Sequence, residues 1–280
     1  MSPTEVSFVT VCKGRLHHIQ QTLPLMMAAA PAEIIVVDYR CPQKVGDWVE
    51  RNHPGVKVLR VTDDEGFNVA RARNLGAQLA TSPWLFFVDA DVGVTATFGA
   101  WAAEQLQEDH FYRQAQTLNK VKTGAYGSFV CPRQAFETVQ GYDEVFKGWG
   151  GEDDDLFVRL SLSGYTQAAY PDDVVSAIEH DDDQRVAFYD RGRVGSFVIS
   201  RFYRSAKMQA MAFYRVKGEL PLEQRKQIYQ VTEQALLPWL DGKVQDLPEI
   251  SFRLESVEGL ISDGHQLVKE CTLKLSVKPP

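Results

Sequence analysis

Short apolar runs alternate with helix-length segments through the first half of the chain, and this alternation admits little besides an α/β sheet built from crossover units. Val6 to Val11 predicts a first strand, and Leu16 to Ala30 a helix that accommodates Pro24. Glu33 to Asp38, reading Glu-Ile-Ile-Val-Val-Asp, is unbroken and β-branched, as a strand buried on both faces requires. Val56 to Val61 predicts a third strand. Asn68 can cap a helix reaching Ala80, with Ala72, Leu75 and Leu79 on one face. Trp84 to Val88 is the most apolar strand, and it ends in Asp89-Ala90-Asp91.

Further along, Thr97 to Gln107 predicts helix, Tyr126 to Cys131 extended chain, and Pro132 to Val139 a short helix with proline at its first position. Gly148-Trp149-Gly150-Gly151 reads as a loop. Glu152 to Ser163 then has an acidic first turn, apolar Leu156, Phe157 and Leu160, and Gly164 just past its end, which are the start and stop signals of a helix. Val174 to Ile178 predicts a short strand leading into Glu179-His180. Beyond about residue 190 come basic amphipathic helices, Gly195 to Val216 and Leu222 to Leu237, separated by Gly218 and Pro221. Apolar residues then recur at period 2, at Ile250, Phe252 and Leu254 and at Leu273, Leu275 and Val277. With Asp263-Gly264 between them, they predict a β-hairpin. The expected division is a main α/β domain over 1–190 and a helical appendage ending in a hairpin over 191–280.

A chain of 280 residues can bury a substantial core, and 44% hydrophobic with 24% charged residues describes an ordinary globular composition. Lys and Arg total 30 against 37 for Asp and Glu, a net charge of −7 that repels an extended nucleic-acid backbone, so no nucleic-acid partner is expected. Cys12, Cys41, Cys131 and Cys271 form no C-x-x-C pair, which predicts reduced thiols without a zinc site. No leader-like segment opens the sequence and nowhere do about 18 apolar residues run together. A cytoplasmic location without a transmembrane segment is the expectation. In the C-terminal helices Arg201, Arg204, Lys207, Arg215 and Lys217 stand among Phe202, Tyr203, Phe213 and Tyr214. The aromatics are expected to pack on the main domain and the basic residues to be solvated; docking of a substrate, a partner subunit or an anionic membrane surface is the alternative.

Carboxylates two apart on extended chain point to one side. Asp89 and Asp91 can therefore face one ligand from the carboxyl end of a buried strand, where open α/β sheets place their ligands. The same tripeptide also serves as a solvated turn. His180 can add an imidazole nitrogen to a mixed site of the kind that suits Mn²⁺, or, beside Asp181, Asp182 and Asp183, can be a surface histidine. Gly148 to Asp155 is more informative. Glycines free the backbone, the Trp149 indole offers a face on which a sugar stacks, and a carboxylate in a first helical turn can act as a general base. Asp154 and Asp155 also suit an acidic helix cap on a solvated face, and one of the two is expected to do only that.

Taken as an ordered set, Phe67-Asn68 leading into Ala70-Arg71-Ala72-Arg73-Asn74-Leu75-Gly76, Asp89-Ala90-Asp91, Gly148-Trp149-Gly150-Gly151-Glu152-Asp153-Asp154-Asp155 and His180 resemble the β-1,4-galactosyltransferase type of GT-A glycosyltransferase. More loosely they resemble family 2 and polypeptide N-acetylgalactosaminyltransferase enzymes. The resemblance spans about residues 5 to 190 and implies a GT-A nucleotide-diphospho-sugar transferase fold, a mixed central sheet flanked by helices. It further implies a UDP-sugar donor, a saccharide acceptor and Mn²⁺ or another divalent cation. By position, Arg15, Asp38, Phe67, Arg71 and Asp89 resemble nucleotide-side residues, and Asp91 and His180 resemble metal ligands. Trp149 resembles the mobile-loop tryptophan over donor and acceptor, and with it Gly150, Gly151, Glu152 and Asp154 border the sugars. Asp153 resembles the base of a single inverting displacement. Arg71 or Arg73 can add positive charge near the diphosphate, although a helix-borne arginine is as often solvated.

Three positions depart from that pattern. Ala177 stands where the branch has a methionine metal ligand, Val69 where it has an arginine, and Gly124 where it has a bulky aromatic beside the sugar. Gly124 leaves room for an N-acetylhexosamine. The lack of a membrane anchor implies a bacterial cytoplasmic enzyme. A configuration-retaining enzyme and a non-catalytic nucleotide- or glycan-binding module are the competing readings, and no motif encodes the oligomeric state.

Overall fold

The computed structural model describes residues 4–64, 66–118, 123–178, 188–189, 192–246, 248–261 and 265–276. In chain order, β1 (Thr4–Cys12), α1 (Leu16–Ala28), β2 (Pro31–Tyr39), α2 (Val45–Asn52), β3 (Lys57–Val61), α3 (Val69–Leu79) and β4 (Trp84–Phe87) form the crossover half. There follow β5 (Val92–Val94), α4 (Thr97–Gln105), β6 (His110–Gln114), the single turn α5 (Ala115–Leu118), β7 (Phe129–Pro132), α6 (Arg133–Thr138), α7 (Glu152–Leu162), β8 (Thr166–Tyr170) and, after a 3₁₀ turn, β9 (Val175–Ala177). Two long helices, α8 (Arg193–Tyr214) and α9 (Leu222–Leu240), and a hairpin of β10 (Glu249–Ile261) and β11 (His265–Ser276) complete the chain.

Seven strands form one sheet in the order β3-β2-β1-β4-β7-β6-β8. β1 runs parallel to both β2 and β4, whereas β7 is antiparallel to β4 and β6. The chain therefore winds outward from β1 to β3 and returns to β4 on the other side of β1. That reversal makes a crevice at the carboxyl ends of β1 and β4, the place where such sheets take ligands. Alternation along the strands sends Phe8 and Phe86 to one face, with Phe98 of α4, and Val9 and Phe87 to the other, with Phe129, Phe136 and Leu156. A third apolar cluster joins Ile199, Tyr203 and Met211 of α8 to α9 and the hairpin, and takes in Val145 and Phe146 from the main body.

The strong apolar runs are where the sequence places them, within two residues at each end. The Asn68 side chain caps α3 by accepting from the Arg71 amide at 2.9 Å. The face of α3 differs from expectation: Ala70, Ala72, Arg73, Gly76 and Ala77 are buried while Leu79 is exposed. Gly76 meets Val9 and Val37 so closely that a Cβ would lie 2.4 Å from Val9, which draws that face of the helix onto β1 and β2. Asp263-Gly264 lies outside the described residues. Among those described, no helix is long and apolar enough to cross a membrane.

Candidate active site

The crevice is a cleft of about 740 Å³. Lys13 and Arg15 reach it from the turn after β1, and Asp89, Ala90 and Asp91 from the turn after β4. Asp91 is buried on that wall, with Oδ2 3.5 Å from Arg15 Nη1. Its backbone carbonyl accepts from the Ile178 amide at 2.7 Å, and β5 pairs with β9 so that Val92 opposes Ala177. This pairing ties the segment entering His180 beside Asp91; His180 itself lies outside the described residues. A buried carboxylate at the end of a buried strand is a donor that suits a divalent cation such as Mn²⁺.

Arg73 organises the opposite wall. Its guanidinium is buried, donates to Asp153 Oδ1 and Asp89 Oδ1 at 2.8 Å each, stands 3.5 Å from Glu152 Oε1 and stacks 5.0 Å from the Tyr142 ring centroid. Burial works against its charge, but Asp153 and the neighbouring acids more than offset this and hold it protonated. Burial also raises the Asp153 carboxyl above the usual range, and Arg73 limits the rise. The Glu152 carboxyl is pushed up to about 8 by burial and then by the Asp153 charge, so at neutral pH Glu152 carries a proton. Tyr142 adds a 3.3 Å contact to Asp153 Oδ1. Oδ2 is turned toward Gly127, where a Cβ would lie 3.0 Å from it, 3.0 Å from Asp89 Oδ2 and 2.9 Å from Arg73 Nη2. Only glycine leaves that space open.

The Gly148–Asp155 string is built against α8. Gly148, Gly150 and Gly151 all have positive φ, which glycine adopts without strain. A Cβ on Gly148 would meet Ser196 Oγ at 2.4 Å and one on Gly151 would meet Ser200 Cβ at 2.8 Å. The glycines thus allow close approach of a helix, and Trp149 lines the cleft 6.2 Å from Phe197. Asp154 accepts from Tyr126 Oη and pairs with Arg204 at 2.6 Å. Asp155 is not the solvated cap expected. It is fully buried, bonded to Arg159 Nε at 2.7 Å and Lys207 Nζ at 2.9 Å. The Lys207 ammonium also bonds Asp143 at 2.8 Å and Glu219 at 2.7 Å. Asp143, Asp155 and Glu219 could by spacing hold a cation, and Lys207 fills that position. Lys207 is therefore not the solvated basic residue anticipated: one helical turn beyond Tyr203, it is turned toward these acids, while Arg204, on another side of the helix and partly exposed, pairs with Asp154.

On the Lys13 side of the cleft, Phe67 stands 5.5 Å from Tyr39 and 5.2 Å from Tyr189, and Lys13 Nζ lies 5.5 to 5.8 Å from the rings of Tyr39, Phe67 and Phe188. Asp38 sits one layer behind, both carboxylate oxygens accepting from the backbone amides of Cys41 and Gly46. Arg71 turns away from the cleft to Asp63 at 2.7 Å. Val69 and Gly124 line the cleft, and a Cβ on Gly124 would lie 2.6 Å from Ala177 Cβ. Sequence reasoning missed Lys13, Tyr126, Gly127, Tyr142, Phe188 and Tyr189. Only Lys13, next to Arg15 in a turn after a strand, carried a local signal.

The profile for glycosyl transferase family 2 matches residues 7–135, and one described as the N-terminal domain of galactosyltransferase matches residues 110–181. Human beta-1,4-galactosyltransferase 4 is 28% identical over 39% of this chain and 33% of its own length, and human beta-1,4-galactosyltransferase 1 is 28% identical over 54% and 42%. The chain thus spans about a third to two fifths of the length of these curated relatives. Among solved structures, S. aureus TarS 1-349 in complex with UDP-GlcNAc aligns over 85% of this chain and 73% of its own at TM-score 0.56 and 14% identity. The mannosyltransferase PcManGT from Pyrobaculum calidifontis in complex with GDP-Man and Mn²⁺ aligns over 85% and 72% at 0.52 and 19%. Sequence matches and architecture agree: the chain has the GT-A fold and is similar to family 2 and galactosyltransferase-like glycosyltransferases.

Proposed function

We propose that the chain is a metal-dependent, inverting transferase that moves a hexose or N-acetylhexosamine from a UDP-sugar to a saccharide hydroxyl. The observation that carries this reading is the setting of Asp153. Its Oδ1 is held by Arg73 and Tyr142 while Oδ2 faces the open side of the cleft at Gly127. A buried carboxylate with a raised proton affinity is a competent general base, and Arg73 beside it favours the ionised form. Oδ2 takes the acceptor hydroxyl proton, the acceptor oxygen bonds to the anomeric carbon, and the carbon–oxygen bond to UDP breaks with its electron pair. Glu152, protonated, can donate a hydrogen bond to a sugar oxygen, and the Trp149 indole supplies an apolar face. Asp91 and His180 would hold the divalent cation, which when bound neutralises charge on the leaving diphosphate. Lys13 and Arg15 add positive charge, and Phe67 with Tyr189 and Phe188 offers rings for the base.

UDP release from a panel of UDP-sugars, with Mn²⁺ and then with EDTA, tests donor and metal without a known acceptor. Metal-dependent release from one donor is expected, and Asp153→Asn lowers sugar transfer by two to four orders of magnitude, the usual worth of a general base. NMR of the product must give the β-anomer from an α-donor; an α-product removes Asp153 as inverting base. Absence of both UDP release and UDP binding would leave the fold as a non-catalytic module.

A further inference from the structure

A second groove, of about 670 Å³, lies between the outer face of α7 and α8 and reaches Gln167 on the edge strand β8. Asp154 lines both this groove and the catalytic cleft, so the groove begins where the acceptor side of the cleft ends. Its walls combine the exposed apolar side chains Val158 and Leu162 with the amides of Gln167 and Gln209. This mixture suits a pyranose, which offers C–H faces and hydroxyls together.

Arg113 forms the inner end. It is 7% exposed, its guanidinium lying 4.1 Å from the Phe157 ring centroid and 4.6 Å from that of Tyr126. Its Nε and Nη2 have no hydrogen-bond partner, and no carboxylate among the described residues lies within ion-pair distance of it. Arg204, the other cation of the groove, is already paired with Asp154. Arg113 is thus the cation of the groove without a contacting anion among the described residues, the Asp153 charge acting on it only from a distance, and two aromatic rings hold it in place. A buried cation without an anion is costly, and a planar carboxylate is the group a fixed guanidinium matches best.

We propose that this groove is an extension of the acceptor site and that the acceptor is an acidic saccharide, the sugar beyond the reacting unit seating its carboxylate on Arg113. The inference rests on the glycosyl-transfer reading above, and names the acceptor class that reading leaves open. The probe is a disaccharide bearing glucuronate, set against the same disaccharide with the carboxyl group reduced to the alcohol, and binding to the full chain is measured by calorimetry in the presence of UDP and Mn²⁺. The native protein is expected to bind the uronate form at least ten-fold more tightly. Arg113→Met abolishes that preference. Leu162→Glu, on an exposed position that tolerates charge, weakens the uronate form at least five-fold while changing the neutral one little. Equal affinity for the two forms, no detectable binding of either, or a preference that survives both substitutions overturns the proposal. UDP binding is recorded on the same samples: intact UDP binding without uronate preference removes the acidic acceptor alone, whereas uronate preference without UDP binding supports the groove and removes the donor reading of the cleft.

Discussion

A guanidinium buried between Asp153 and Asp89 carries its charge at any physiological pH, and it lowers the cost of ionising whichever carboxylate it touches. Arg73→Met removes that charge. The Asp153 carboxyl then rises further, so the acid limb of the pH profile of kcat/KM moves to higher pH, and turnover at pH 7 falls on the order of ten- to a hundred-fold. An unmoved acid limb would show that Arg73 only fills space. Glu152 gives a second test, in stability. Its carboxyl titrates at about 8 in the folded chain against an ordinary 4.5. Between those values the native state holds a proton the unfolded chain has released, so stability falls as pH rises through this window. Glu152→Gln lacks that loss, and thermal melts should favour the variant increasingly from pH 5 to pH 8.5. Parallel melting curves would mean that Glu152 is ionised throughout. Asp153, Asp91 and Trp149 could be picked out in the sequence because they sit in short strings. Arg73 is legible there only as a positive charge beside a diphosphate and Gly127 not at all, since their roles come from carboxylates brought in from elsewhere in the chain.

The same limit applies to whole elements. β1, β2 and β4 are legible because β-branched and aromatic runs buried on both faces leave no other reading, and α7 because its caps agree with its acidic first turn. β6, reading His-Phe-Tyr-Arg-Gln, and β8, reading Thr-Gln-Ala-Ala-Tyr, carry polar residues that are accommodated only once they pair with each other at the sheet edge. α8 was legible as a helix but not as a wall of the site. Ser196, Ser200 and Lys207 fall on one side of it, against Gly148, Gly151 and Asp155. Lys207→Met should test this wall most severely, since it leaves Asp143, Asp155 and Glu219 in the interior with Arg159 and Arg225 as their remaining cations among the described residues. Breaking such a group costs about 3–5 kcal/mol, which for a chain of this size lowers Tm by roughly 6–20 °C. Lys226→Met, on an exposed i,i+3 pair, should stay within about 0.5 kcal/mol. Calorimetry of both variants separates a central tie from a dispensable one.

At the scale of the whole molecule, the strand order fixes where the cleft must lie, but not that residues beyond 190 complete it. The apolar cluster of α8, α9 and the hairpin takes in Val145 and Phe146, and the buried ions join Asp143 and Asp155 to Lys207, Glu219 and Arg225. Burial of apolar surface and charge pairing thus cross between the two parts at one place, immediately behind the Gly148–Asp155 string. Two units coupled in this way unfold together when the interface contributes more than either part can lose and stay folded. The full chain should therefore melt in a single calorimetric transition. A chain ending at residue 190 would expose Val145 and Phe146, leave Asp143 without Lys207 and Arg225, and free the positive-φ glycines from the helix that packs on them. Such a chain is expected to aggregate, or to melt at least about 10 °C lower with no measurable UDP release, as loss of several kcal/mol implies. Two resolved transitions in the full chain, or a truncated chain that releases UDP at the full rate, would make α8 an accessory to the cleft and not one of its walls.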